Sequence, residues 1–245
     1  MTSKQYLLIP LSLIILALIG WFAFIKLTPP SHNNITLTFK ATVAGEALDF
    51  NKPLYPNPAG EGKFQIRDFQ FYISNIKLIA RDHLYSDPYV YHLARFDNDK
   101  KSFRIALEQV PHKEYQAIEL SIGIDKIANS TILSQGDLDP NNRMAWSWDV
   151  GHKFILFEGS LATGQGLKPL VYHVGFNENY KTLTFPITNN KLKQSDNHLQ
   201  FSVDIMTLFN GENPINMDAL SSVKFDPEDA KILANNYQNM IQATW

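Results

Sequence analysis

Seven histidines, four tryptophans and no cysteine bound the chemistry open to this chain of 245 residues. Without thiols there are no disulfides, no thiolate metal sites and no haem attached through cysteine, and a lipid-modified cysteine is excluded as well. Imidazole nitrogen suits copper and zinc, and a site lacking thiolate must lean on several histidines. The seven are His32, His83, His92, His112, His152, His173 and His198. His173 stands out by its setting, the strand-like run Val171-Tyr172-His173-Val174-Gly175. His152 follows Trp148 and Gly151 near the start of a further strand, while His92 and His198 are weaker candidates. Spacing alone does not bring these side chains together, and a lone histidine in a β protein is commonly a surface residue or a satisfied core residue. The other unusual feature is Met144-Ala145-Trp146-Ser147-Trp148. In an extended strand residues two apart share a face, so Trp146 and Trp148 lie together. They read either as two core indoles or as redox-accessible, metal-adjacent ones.

Other chemistries lack their residues. No G-x-S-x-G elbow supplies a hydrolase nucleophile. Gly159-Ser160-Leu161-Ala162-Thr163-Gly164-Gln165-Gly166 has no lysine to meet a nucleotide's phosphates and reads as a hairpin loop. There is no H-E-x-x-H zinc helix. Asp137-Leu138-Asp139-Pro140-Asn141-Asn142 opens like a calcium loop, but Asn142 stands where glycine is needed and Trp148 where glutamate is needed, so an ordered polar turn is expected. The expectation is a protein that is not an enzyme. With a net charge of −2, the chain has no basic excess to hold a nucleic-acid backbone.

The elements that must position these residues follow from the hydropathy pattern. Residues 6–25 read YLLIPLSLIILALIGWFAFI without a charge, and about 20 such residues suffice to cross the hydrocarbon core as a helix. Lys4 precedes the run, Lys26 follows it, and Trp21, Phe22 and Phe24 lie near its far end, where aromatic rings favour the interface. A cleaved signal peptide competes with an uncleaved anchor, but Trp21 two positions before Ala23 fits a cleavage site poorly. Residues 1–27 are therefore expected to anchor a single-pass protein in the cell membrane, 28–34 to form a proline-containing linker, and 35–245 to form one domain in the periplasm or outside the cell. That domain is expected to be mainly β. The pattern predicts strands over 35–43, 64–78, 89–93, 102–107, 117–124, 153–159, 170–174, 182–187 and 198–204, which together argue for an antiparallel β-sandwich. Asp226-Pro227-Glu228-Asp229 then starts one C-terminal helix, with an N-cap, a proline at the first position and acids in the first turn.

The order of segments resembles the MbnP-like copper-binding proteins over roughly residues 35–243. Asp68-Phe69-Gln70-Phe71-Tyr72-Ile73-Ser74-Asn75 looks like a D-x-x-F-Y-x-S-N block. Gly136 to Pro140, Met144 to Trp148, Gly151 to Phe154 and Glu158-Gly159 resemble the family's central block, and Tyr172-His173-Val174-Gly175 its Y-H-x-G segment. The ending, with Val203-Asp204, Leu208 to Gly211 and the helix after Asp226, is similar too. The resemblance implies an envelope β-sandwich that binds copper through histidine and an oxidised tryptophan, kynurenine, made by a di-haem peroxidase-like partner. Carried over by position, His173 matches the family histidine, and Trp146 and Trp148 match its tryptophan pair. His152 stands where many relatives have tyrosine, a departure that could add a ligand. The implied metal residues are thus His173, Trp146, Trp148 and His152, the implied metal is copper, and neither tryptophan is singled out. A metal-free binding or structural module that keeps the motifs for folding alone is the competing reading; it predicts an exposed groove or patch instead of a histidine cluster.

Overall fold

The computed structural model describes residues 32–50, 55–131, 135–147, 151–188, 192, 197–212 and 214–245. The expected membrane segment 6–25, most of the linker and Trp148 lie outside the described residues. Among the described residues no helix is long and apolar enough to cross a membrane.

In chain order the strands are β1 (His32–Val43), β2 (Glu46–Ala47), β3 (Tyr55–Pro56), β4 (Lys63–Ala80), β5 (Leu84–Ser86), β6 (Tyr91–Phe96), β7 (Ser102–Pro111), β8 (Tyr115–Ile122), β9 (Ala145–Ser147), β10 (Gly151–Thr163), β11 (Gly166–Gly175), β12 (Lys181–Pro186), β13 (His198–Asp204), β14 (Ser222–Val223) and β15 (Ile241–Ala243). Helix α1 (Lys126–Asn129) precedes β9, and α2 (Pro227–Tyr237) precedes β15. Each expected strand is present, and α2 starts at its Asp226 cap, whose carboxylate accepts from the backbone N–H of Glu228 and Asp229.

Two sheets pack face to face. One carries β15, β13, β1, β7 and β2; the other is built on the path β12-β8-β4-β10-β11-β14. The 18-residue β4 is the spine of the second sheet: residues 63–71 pair with β10, 73–80 with β8 and 69–74 with β6. The expected all-antiparallel pattern fails at two places. β1 pairs with β13 in parallel, from Thr36↔His198 to Thr42↔Asp204, and β14 lies parallel to β11. The physical reason is topological. Alternation within a strand fixes which face is buried but carries nothing about which distant strand lies alongside, or in which direction.

Alternate residues of each strand point inward and fill the space between the sheets. Phe39 of β1 stacks on Phe201 of β13 with centroids 4.7 Å apart, while Phe64, Phe157, Tyr172 and Phe209 pack edge to face and tilted around one another. The second sheet is also covered on part of its outer face. Tyr72, Leu93, Phe154 and Leu156 form a smaller core there with Ile124, Ala128, Leu138 and Met144. The cover is the excursion 124–147, which includes α1 and two single turns, Gly136–Leu138 and Pro140–Asn142. The polar stretch after Asp137 is thus an ordered turn. Asp137 fastens it: its backbone carbonyl accepts from Tyr72 Oη at 2.8 Å and its Oδ2 from the Leu93 N–H at 2.7 Å.

Candidate metal centre

His173 lies on the outer face of the β10–β11 hairpin, opposite Leu156, which in turn lies opposite Gln70 of β4. One row along the same face come Asp68, Glu158 and Val171. Glu158 is therefore the diagonal neighbour of His173, within reach across the pair. Its Oε1 meets His173 Nε2 at 3.2 Å. Its Oε2 accepts from Arg67 Nη2 at 3.1 Å and Arg143 Nη2 at 3.3 Å, and Arg143 Nη1 reaches Asp68 Oδ2 at 2.6 Å. Arg143 can serve both carboxylates because its backbone adopts φ 67°, closing the turn before β9, and its carbonyl accepts from Lys153 Nζ at 2.7 Å. Asp68 and Glu158 flank Arg143 as a planar, two-sided donor.

The electrostatics favour a neutral imidazole. Burial, with the side chain 11% exposed, and then the charge of Lys153 push the His173 pKa down to about 4; Glu158 opposes this and Lys224 adds to it. Burial alone would raise the Glu158 pKa, but hydrogen bonds from Arg67 and His173 and the Arg143 charge hold it below the usual carboxylate range. At neutral pH an ionised Glu158 faces a neutral ring, so Nε2 carries the proton and donates it to the carboxylate. Nδ1 then holds a lone pair and makes no hydrogen bond among the described residues. A histidine fixed by a carboxylate on one nitrogen and open on the other is how metal ligands are commonly oriented.

Trp146 packs on the same strand two residues along from this histidine. β9 pairs with the start of β10, Gly151↔Ser147 and His152↔Ala145, and lays the indole over Gly175. Gly175 is two residues beyond His173 on β11, on the same face and roughly 7 Å along the strand. A Cβ at Gly175 would lie 2.5 Å from Trp146 Cζ3 and 2.6 Å from the His152 carbonyl, so only glycine lets the ring approach. Phe176, with centroids 5.5 Å away, and the exposed Phe225, 5.2 Å away, flank the indole.

His152 is elsewhere. Its ring is fully buried in the smaller core, edge-on to Tyr72 with centroids 6.2 Å apart, and only its backbone N–H is held, by Asn129 Oδ1 at 2.8 Å. Neither ring nitrogen makes a hydrogen bond of good geometry among the described residues. Burial lowers its pKa, against a smaller opposing effect of the Leu138 backbone. No hydrogen bond, ion pair or ring contact joins it to His173. His92 pairs with Asp87, and His198 with Thr38. Among the described residues no group of three histidine, aspartate or glutamate side chains is placed to hold a metal ion. One imidazole is thus fixed by a carboxylate on this face, with an indole over Gly175 two residues along, and the expected histidine cluster is not formed by the described residues.

Sequence reading overlooked the residues that prepare His173. Glu158 was visible only as half of the Glu158-Gly159 motif, and its meeting with Arg67 and Arg143 depends on a register shift between Glu158 and Gly159 in the β10–β4 pair. Alternation alone does not disclose such a shift.

Comparison with known proteins agrees with this architecture. A protein-family model described as MbnP matches residues 32–225. The solved structure of MbnP from Methylosinus trichosporium is similar with a TM-score of 0.57 and 14% sequence identity, covering 79% of this chain and 81% of that chain. No curated protein matches the sequence.

Proposed function

The chain belongs to the MbnP family, and from that premise we propose that it is a non-enzymatic copper-binding protein of the cell envelope, with His173 as a metal ligand. The observation that carries the reading is the prepared imidazole: neutral, tethered through Nε2 to Glu158, with Nδ1 unpaired and Trp146 packed one position along the same face. Bound copper would take the Nδ1 lone pair, since the protonated nitrogen is committed to the carboxylate. Glu158 holds the ring's tautomer and orientation. Arg67 and Arg143 hold Glu158 ionised. Because His173 stays neutral until about pH 4, protons do not compete for it under ordinary conditions. Trp146 lies over Gly175 on this face, which makes it a candidate for conversion to kynurenine by a di-haem peroxidase-like partner. Residues 6–25 anchor the protein in the membrane in this reading, with the domain in the periplasm or outside the cell.

The test is copper uptake by the purified full-length chain, with native protein also inspected by intact mass for a tryptophan-to-kynurenine change. About one equivalent of copper is expected, lost in His173→Ala, and bound on the order of 10–100-fold more weakly in Glu158→Gln, as for other removed partners of metal-bound histidine. Copper-free native protein with unmodified tryptophans that takes up no metal would end this reading in favour of the metal-free module.

A further inference from the structure

A second site stands apart from the His173 face. Between the strand end Pro88–His92 and the turn Gln135–Leu138 lies a cleft of about 540 Å³, within the range of small-ligand sites. Its rim carries Tyr89, whose side chain is large, apolar over most of its surface and 67% exposed. Tyr91 lies deeper, its hydroxyl bound to Asp125. The wall contains His92, and behind it is Asp87, whose side chain is only 1% exposed. Asp87 Oδ2 meets His92 Nε2 at 2.7 Å while Oδ1 accepts from the Tyr89 N–H at 3.0 Å. A buried carboxylate is thus engaged entirely in holding one imidazole and the backbone beneath the exposed ring. Nδ1 of His92 makes no hydrogen bond among the described residues. Asp137 faces the same cleft with one carboxylate oxygen fixed by the Leu93 N–H and the other without a hydrogen bond among the described residues.

We propose that this cleft binds a saccharide, with one sugar ring laid on Tyr89 and its hydroxyls hydrogen-bonded to His92 and Asp137. The chemistry of the lining selects this class. The Asp137 carboxylate accepts, and a hydroxyl, which both donates and accepts, can meet the His92 ring as well, whereas a polar group left unpaired beneath a ligand would weaken binding. None of the lining residues is lysine or arginine, and two carboxylates stand near, which disfavours phosphate or carboxylate ligands. Among the described residues no three-residue metal-ligating group is formed here. The face of an exposed aromatic ring is electron-rich and meets the weakly positive C–H face of a sugar.

The experiment is saturation-transfer NMR on the full-length protein in lipid nanodiscs, with methyl β-glucoside, methyl β-galactoside and N-acetylglucosamine as probes and tetramethylammonium chloride as a fourth. The expected result is saturation of the C–H protons on one face of at least one sugar, abolished in Tyr89→Ala and restored in Tyr89→Phe, which keeps the ring. Tyr89 is exposed, so its loss leaves folding intact. No saturation of any of the three sugars overturns the proposal, as does saturation unchanged by Tyr89→Ala. Saturation of tetramethylammonium alone also overturns it, assigning the cleft to organic cations. None of these outcomes depends on copper.

Discussion

At the scale of single residues, the two buried histidines differ in how their nitrogens are provided for. His173 has a carboxylate partner and an open nitrogen; His152 has neither nitrogen satisfied. Both have pKa values lowered by burial, so the folded state resists protonation while the unfolded chain accepts a proton near pH 6.5. Stability from these rings is then complete above pH 6.5 and falls as the pH drops from there toward about 4, where folded His173 itself titrates. Denaturant unfolding followed between pH 7.5 and pH 4 should show this loss, and His173→Gln should flatten it; an unchanged profile would contradict the burial argument. His152 allows a sharper check. An unsatisfied polar ring in an apolar pocket costs about 1–3 kcal/mol. His152→Leu should therefore leave the melting temperature unchanged or raise it, with copper content as in wild type. A variant that loses copper would instead make His152 a ligand.

Secondary-structure elements place the candidate site through close approach rather than through loops. β9 can lay Trp146 on β11 only because Gly175 presents no side chain. Overpacking of this kind costs about 1–3 kcal/mol when the obstructing atoms include backbone, and here one of them is the His152 carbonyl. Gly175→Ala should lower the melting temperature by about 2–4 °C per kcal/mol for a chain of this size, and shift Trp146 fluorescence as the indole is displaced. An unchanged emission spectrum would mean the ring is not held there. Much of this level is legible from sequence. The strands announce themselves by alternation, as in β1 and β13, and α2 by its Asp226-Pro227 start. The pairing of His173 with Glu158, the excursion folded over Tyr72, and the parallel seam of β1 with β13 are not legible. Each arises from register or from strands distant in sequence, which local periodicity does not encode. The family resemblance supplied His173 and the tryptophan pair, whereas physical spacing alone left the histidines unrelated. His152, which stands where many relatives have tyrosine, is turned into the smaller core beside Tyr72.

Taken whole, the molecule is closed by contacts between its beginning and end. Thr42 Oγ1 and Ser202 Oγ lie 3.2 Å apart although 160 positions separate them, and Trp245 packs edge-on against Phe201 with centroids 5.1 Å apart. On that frame the excursion 124–147 occupies a position of its own. Gln135 to Leu138 form one wall of the Tyr89 cleft, and a few residues later Arg143 grips Asp68 and Glu158 and Trp146 covers Gly175. A single stretch of chain therefore belongs to both proposed sites. Any ligand that alters its freedom at one end alters the work of binding at the other, and thermodynamic linkage makes that influence symmetrical. Whatever factor a sugar imposes on the copper dissociation constant, copper must impose on the sugar's. Titrating each in the presence and absence of the other measures both factors. A pair of equal factors different from one would make this surface excursion the coupling element between a metal and a glycan, and factors equal to one would make it a rigid wall shared by two independent sites.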